Sequence, residues 1–498
     1  MTYDQLVEGL RASTYEMQRE GMEVRAGLKQ EQNLAEIVER YAWLFSDEAL
    51  SVAIDAEASA TPDDRESRRR VRIAIVQGLI DRRTAAAEDK LTTLYATSTV
   101  ELPDGGRLPF FSAQSSLVRQ PDPRLREQIG DGCAAVMESA DDLALTVMAS
   151  TLDVLRDLGQ ESYTAFWSET KRVDYAALSA ELTRVVDASA DVYRRRVGGW
   201  MELAGRGFGD CPWWHSSHFR SLPEHAARYS AARFEPAMRE TFRRLGLDLF
   251  HLPTVTLDLA DRPAKNPRAS VWVPAAGVEV HLLTRPQGGY LDYAAFLHES
   301  GHALHFGLSD PAIGWPLTNL GSMAYAELWS FLIESIGQDP RWLAQALQVE
   351  DSVAEAIASD VGAVQLMMFV RLAAKFAYEL ALYAGDPLEV RRGRELYARI
   401  LGERTGFRYD PRAWQFDRDA AFYSADYLRA LLASTALRER LDDMFGSPWW
   451  SHAETGRWLS DQWRRGWVRE AEQLVIEVGG EPRSGDALLR VFRERLPA

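Results

Sequence analysis

The segment Leu291–Leu308 reads LDYAAFLHESGHALHFGL and contains His298-Glu299-Ser300-Gly301-His302, an H-E-x-x-H pattern. On a helix, residues four apart lie one turn apart on one face, so both imidazoles can reach one ion. Glu299 sits beside them, where its carboxylate can take a proton from a metal-bound water. Ala294, Ala295, Phe296 and Leu297 precede the pattern, Ala303, Leu304 and Phe306 follow it, and no proline interrupts. A single histidine on an apolar helix is usually a satisfied core residue. Two of them flanking a glutamate at this spacing make a metal site the better reading.

A catalytic zinc takes three protein ligands and keeps a fourth position open. The acids downstream are Asp310, Glu327 and Glu334. The stretch Gly321–Gly337, GSMAYAELWSFLIESIG, has helical periodicity and puts Glu327 and Glu334 two turns apart along one side. Two acids on an otherwise apolar helix are costly to bury without partners, and a cation facing them removes that cost. This reading makes Glu327 the third ligand and Glu334 an outer partner that orients a histidine.

These helices need a scaffold, and the rest of the chain reads as one. Residues 1 to about 205 show apolar positions recurring at three and four, as in Leu34, Ile37, Val38 and Tyr41. Between Pro253 and Leu283 the pattern shortens to strand-like runs bounded by Pro263, Pro267, Pro274 and Gly277, which predicts a small antiparallel sheet immediately before the H-E-x-x-H helix. Helical periodicity then resumes to near the C-terminus. The expected organisation is a helical portion over 1–205 and a catalytic portion over 206–498, continuous with it.

The chain has 498 residues, is 46% hydrophobic and 26% charged, and carries a formal net charge of −16. That composition is globular, and the acidic balance argues against nucleic acid as a partner. Cys133 and Cys211 show no paired spacing, so neither a disulfide framework nor a cysteine metal site is expected. The N-terminal MTYDQLVEGLRAS has no apolar signal core, and no run of about 18 uncharged apolar residues occurs, so a cytoplasmic protein without a membrane span is the expectation. No glycine-rich phosphate loop and no G-x-S-x-G is present.

The chain resembles the zinc oligopeptidases that include thimet oligopeptidase and oligoendopeptidase F. Their H-E-x-G-H-A-L-H stretch is matched by His298, Glu299, Gly301, His302, Ala303, Leu304 and His305. Their third-ligand glutamate, followed by x-Pro-Ser and by an acid seven residues on, is matched by Glu327, Ser330 and Glu334, with Trp329 replacing the proline. An upstream Asp-Leu-x-x-Arg-x-x-Lys stretch is matched by Asp258, Leu259, Arg262 and Lys265, and Asp292 ahead of the zinc helix is also similar, as another outer partner. The resemblance covers residues 245–345 well and the C-terminal third loosely. It implies a mostly α, two-lobed, zincin-like peptidase with a deep central channel, one zinc ion per chain and short peptides as substrates. It also implies a downstream oxyanion donor. Here that role falls to Tyr423, Tyr427 or Arg429 in DRDAAFYSADYLRALL, although the histidine and glycine-rich loop that accompany it in the family are absent.

Other features read more plainly. Arg371, Lys375 and Glu379 recur every four residues on an apolar helix, which predicts a solvated stripe with a Lys375–Glu379 pair rather than a channel lining. His215 and His218, beside Cys211-Pro212-Trp213-Trp214, read as an aromatic packing cluster, and Gly277–Leu283 reads as a sheet edge free to pair with an extended peptide. The expected activity is hydrolysis of short peptides. The rivals are a zinc hydrolase of the same fold acting on a specialised amide, and a silent peptide-binding protein.

Overall fold

Apolar residues at helical spacing give a chain that is helical over most of its length, with a few short strands between. The computed structural model describes residues 1–496 apart from Pro263 and Pro267; those two prolines, read above as strand boundaries, lie outside the described residues. The elements that matter here are α1 (Tyr3–Arg25), β1 (Val255–Asp258), β2 (Ser270–Ala275), β3 (Glu279–Leu283), α2 (Tyr290–Leu308), α3 (Met323–Glu334), α4 (Asp351–Tyr383) and α5 (Tyr423–Phe445).

The chain forms two compact units. The first comprises Met1–Arg82, Ala227–Ala354 and Arg429–Arg483; the second comprises Arg83–Ala226, Glu355–Leu428 and Ser484–Ala498. Each unit therefore draws on residues from both sides of position 205. The H-E-x-x-H helix α2, its partner α3 and the three-stranded sheet all belong to the first unit.

In that unit the sheet order is β1-β3-β2. β2 and β3 form an antiparallel hairpin, with Ser270 opposite Leu283 and Trp272 opposite His281, and β1 runs parallel to β3 with Val255 opposite Val280. The sheet is thus mixed rather than wholly antiparallel. The chain leaves β1, lays β2 one strand's width away, and the hairpin return fills the gap. This also corrects the expectation for Gly277–Leu283: β3 is the central strand, its backbone is paired on both sides, and it offers no free edge. Pro274 is not a boundary but lies inside β2, at an irregularity between Trp272 and Ala275 where no ladder hydrogen bond is demanded of it.

Val280 and Leu282 are fully buried beneath the sheet. On the other side α1 lies against β2, with the Trp272 ring over Gly21 and the Val273 amide donating to Gln18 Oε1 at 3.1 Å. The hairpin turn is tied to α2 by the Gly277 amide, which donates to the Phe306 carbonyl at 2.7 Å. Gly277 has φ +74°, and a Cβ there would meet the Ser309 carbonyl oxygen at 2.1 Å, so both conformation and space require glycine.

In the second unit the charged stripe on α4 does not face solvent. Lys375 and Glu379 are buried, and Arg371 is nearly so. Arg371 pairs with Asp417, and Lys375 pairs with Asp419 at 2.8 Å rather than with Glu379. Glu379 accepts from the Asp419 amide at 2.8 Å and from the Ser424 hydroxyl at 2.7 Å. The stripe fastens α4 to the turn leading into α5, where Ala421 and Phe422 both adopt positive φ. Such a pair of non-glycine residues needs surrounding contacts to hold it. By length and apolar composition α4 is able to cross a membrane, but 61% of its most apolar window is buried within the protein, as in a core helix.

Burial raises the Glu379 carboxyl to about 7, against the lowering pull of Lys375, with Asp419 adding to the rise. The folded protein therefore holds a proton that the unfolded chain has released. That contribution is complete below the ordinary carboxylate range and is lost as pH rises through about 7. Glu379→Gln should flatten this part of the profile. Tm measured between pH 5 and pH 8 should fall further in the wild type than in the variant, and parallel profiles would contradict the assignment.

Candidate metal centre

α2 is apolar on almost every side, with Tyr293, Phe296, Leu297, Gly301, Ala303 and Leu304 all buried. Its entry is fixed by Asp292 in the first turn, whose Oδ2 accepts from the Gln287 and Gly288 amides at 2.6 and 2.8 Å. Asp292 therefore shapes the loop into the helix by its own hydrogen bonds. α3 is similarly enclosed, with Ala324 through Ser330 buried in an unbroken run. The two helices meet at Gly301, where a Cβ would lie 2.5 Å from both Ser330 Cα and the Trp329 carbonyl oxygen. Only glycine permits that approach, and the approach sets the distance between the histidines of one helix and the glutamates of the other.

At this crossing His298 Nε2 lies 3.2 Å from Glu327 Oε2, and His302 Nε2 lies 3.7 Å from the same oxygen. The three ligating atoms all fall within 4.8 Å of one another. Ligand atoms about 2.1 Å from a tetrahedral zinc lie about 3.4 Å apart, so this donor set has the spacing and the chemistry, two imidazoles and a carboxylate, to hold such an ion. Glu334 Oε2 lies 2.9 Å from His298 Nδ1, which leaves Nε2 as the nitrogen aimed at Glu327.

The electrostatics agree. Burial disfavours a charged His298, yet Glu327 and Glu334 outweigh it and raise its pKa well above the ordinary value. Two carboxylates at that point favour positive charge, whether proton or metal. Burial lowers His302, leaving a neutral imidazole with a lone pair to donate. Glu299, half-buried on the same turn, lies within electrostatic reach of His302. Asp310, the remaining candidate acid, caps a short turn by accepting from the Ala312 amide at 2.9 Å.

No protein-family model and no curated protein matches the chain. Solved structures do match in shape. A Pyrococcus furiosus carboxypeptidase superposes with a TM-score of 0.65 at 14% identity, covering 99% of this chain and 98% of its own. An M32 carboxypeptidase from Deinococcus radiodurans gives 0.57 at 16% identity, with 99% and 98% covered. A Bacillus anthracis protein provisionally assigned as an oligoendopeptidase F gives 0.62 at 13% identity, with 92% and 82% covered. The fold is that of the helical zincin-like peptidases.

Within this zincin-like fold the remaining expected residues take different places. Trp329, at the position of the family's proline, is fully buried, with its ring 5.6 Å from Tyr325 and 5.7 Å from Trp463. His305 is also fully buried, stacks on Trp467 at 5.7 Å, and is pushed down to about 3 by burial, so it is a neutral packing residue. Tyr423 and Tyr427 stand at the start of α5 in the second unit, half-buried, with ring centroids 4.8 Å apart. Arg429 is 4% exposed and places Nε 2.7 Å and Nη2 3.0 Å from the two oxygens of Glu472, a buried ion pair. His215 is held between the Arg126 Nε and Glu127, each at 3.0 Å, inside an aromatic cluster.

One residue that no sequence pattern points to also comes near. Arg25, the last residue of α1, lies within electrostatic reach of Glu299 and of Arg268. Residues so far apart in the chain share no local pattern, and only the seating of α1 brings them together.

Proposed function

We propose that the protein is a zinc-dependent peptidase that hydrolyses short peptides. The observation that carries this reading is the convergence of His298 Nε2, His302 Nε2 and Glu327 Oε2 at the crossing of α2 and α3, with Glu299 on the same helical turn. The likeness in fold to carboxypeptidases and to an assigned oligoendopeptidase supports it. A zinc ion held by these three residues would polarise the scissile carbonyl and bring the pKa of water towards ~7.

The chain's own residues do the rest. Glu334 fixes the ring of His298 and its tautomer through Nδ1. Burial keeps His302 neutral. Glu299 takes the proton from the attacking water at its carboxylate and passes it to the leaving amine nitrogen, the same group acting as base and then as acid. A metal kept only for structure has no need of such a group beside it, which favours an enzyme over a silent binder.

The test is mass spectrometry of a short-peptide library incubated with zinc-loaded protein. New termini within or at the ends of the peptides are expected. A zinc-loaded protein that cleaves none of them overturns the reading in favour of a specialised amide or of binding alone.

A further inference from the structure

The first unit contains an arginine whose backbone is held by hydrogen bonds and whose side chain has no carboxylate partner among the described residues. Arg25 ends α1, and its carbonyl accepts from the Asn266 amide at 3.1 Å. The next carbonyl, of Ala26, accepts from Arg262 Nε at 2.9 Å. The loop on which α1 rests is anchored in turn by Lys265, whose buried ammonium donates to the carbonyls of Asp258 at 2.6 Å, Ala260 at 3.2 Å and Thr284 at 2.8 Å. This platform holds the backbone from which the Arg25 side chain extends.

The guanidinium itself is half-buried. Its Nε is buried without a hydrogen-bond partner, and its one hydrogen bond runs from Nη2 to the Arg268 carbonyl at 3.5 Å. Among the described residues neither Arg25 nor Arg268 has a carboxylate oxygen within 4.0 Å. Their neighbours are paired: Arg19 with Glu279, Arg262 with Asp258, Arg285 with Asp261. Two arginines are thus left without a carboxylate partner among the described residues, and one of them, Arg25, lies within electrostatic reach of Glu299. Burial and the charge of Arg268 both disfavour the Arg25 cation, and only Glu299 favours it. A half-buried guanidinium remains charged in any case and is costly without an anion, and its planar fork suits a carboxylate.

We infer that Arg25, with Arg268 beside it, forms a subsite for a carboxylate of the substrate adjacent to Glu299. The inference rests on the peptidase reading for the identity of the substrate. A peptide brings a carboxylate from two sources, its C-terminus or an Asp or Glu side chain. In the first case the enzyme removes residues from the C-terminal end; in the second it cuts beside acidic residues.

Binding to the zinc-loaded Glu299→Gln protein tests this, because that variant should hold peptides without cleaving them. Three matched peptides are compared: a neutral peptide with a free C-terminus, the same peptide amidated, and the amidated peptide carrying one glutamate. At least one carboxylate-bearing peptide should bind roughly 10- to 100-fold tighter than the neutral amide. Adding Arg25→Gln should collapse that ratio towards one, Arg25→Lys should restore part of it, and Arg268→Gln, at an exposed position, should reduce it independently. Which peptide gains identifies the source. Equal binding of all three peptides, or a ratio untouched by both arginine variants, overturns the subsite. Cleavage by the wild type with no such preference leaves the peptidase standing without the subsite. A preference with no cleavage by the wild type leaves the subsite and removes the hydrolase.

Discussion

Glu299→Gln should lower kcat for peptide hydrolysis by about 10³-fold while metal content stays at one ion per chain. The amide matches the carboxylate in shape but cannot accept the proton of the attacking water. General acid–base catalysis contributes about 10²- to 10⁴-fold, and in the proposed mechanism one group serves as both base and acid. The three atoms that converge for the metal belong to His298, His302 and Glu327, so none is disturbed. Turnover of a short peptide and metal analysis of the same sample decide the matter. Full activity would remove Glu299 from the chemistry, and loss of the metal would place it among the ligands.

Glu327→Ala should have the second large effect, through the metal rather than the proton. One oxygen of Glu327 lies 3.2 Å from His298 Nε2 and 3.7 Å from His302 Nε2, so a single side chain joins both imidazoles to one point. Its loss leaves two ligands, and affinity should fall by more than the roughly 10- to 100-fold that removing an outer hydrogen-bond partner costs. Competition against a chromophoric chelator measures this directly. Activity should fall with occupancy and return in part at high zinc concentration. An alanine variant that kept its zinc against the chelator would move the third ligand elsewhere.

Much of the candidate centre is legible in the sequence because it is local. The four-residue spacing of His298 and His302 and the seven-residue spacing of Glu327 and Glu334 are each contained within one helix, α2 or α3, where periodicity fixes which residues share a face. The helical character of the chain and the short strands before α2 follow from the same kind of pattern.

What failed to show in the sequence depends on partners far along the chain. A charge at every fourth residue of α4 fits a solvated face equally well. The carboxylates of Asp417 and Asp419, supplied by the turn before α5, are what make it a buried cluster. Arg429 sits near two tyrosines in sequence, yet Glu472 claims it from 43 residues away. The alternation of β3 says which residues are buried but not whether its edge is free, since that depends on where β1 and β2 lie.

The sequence by itself determined that a helix carrying the H-E-x-x-H pattern exists and which of its residues face together, because one turn of helix fixes those positions whatever surrounds it. The tertiary structure alone decided the distance between the histidines and Glu327, through the contact at Gly301. It also decided which charges are spent on one another and which, such as Arg25 and Arg268, have no carboxylate partner among the described residues. Pairing of charges depends on separations through space, and no spacing along the chain encodes them.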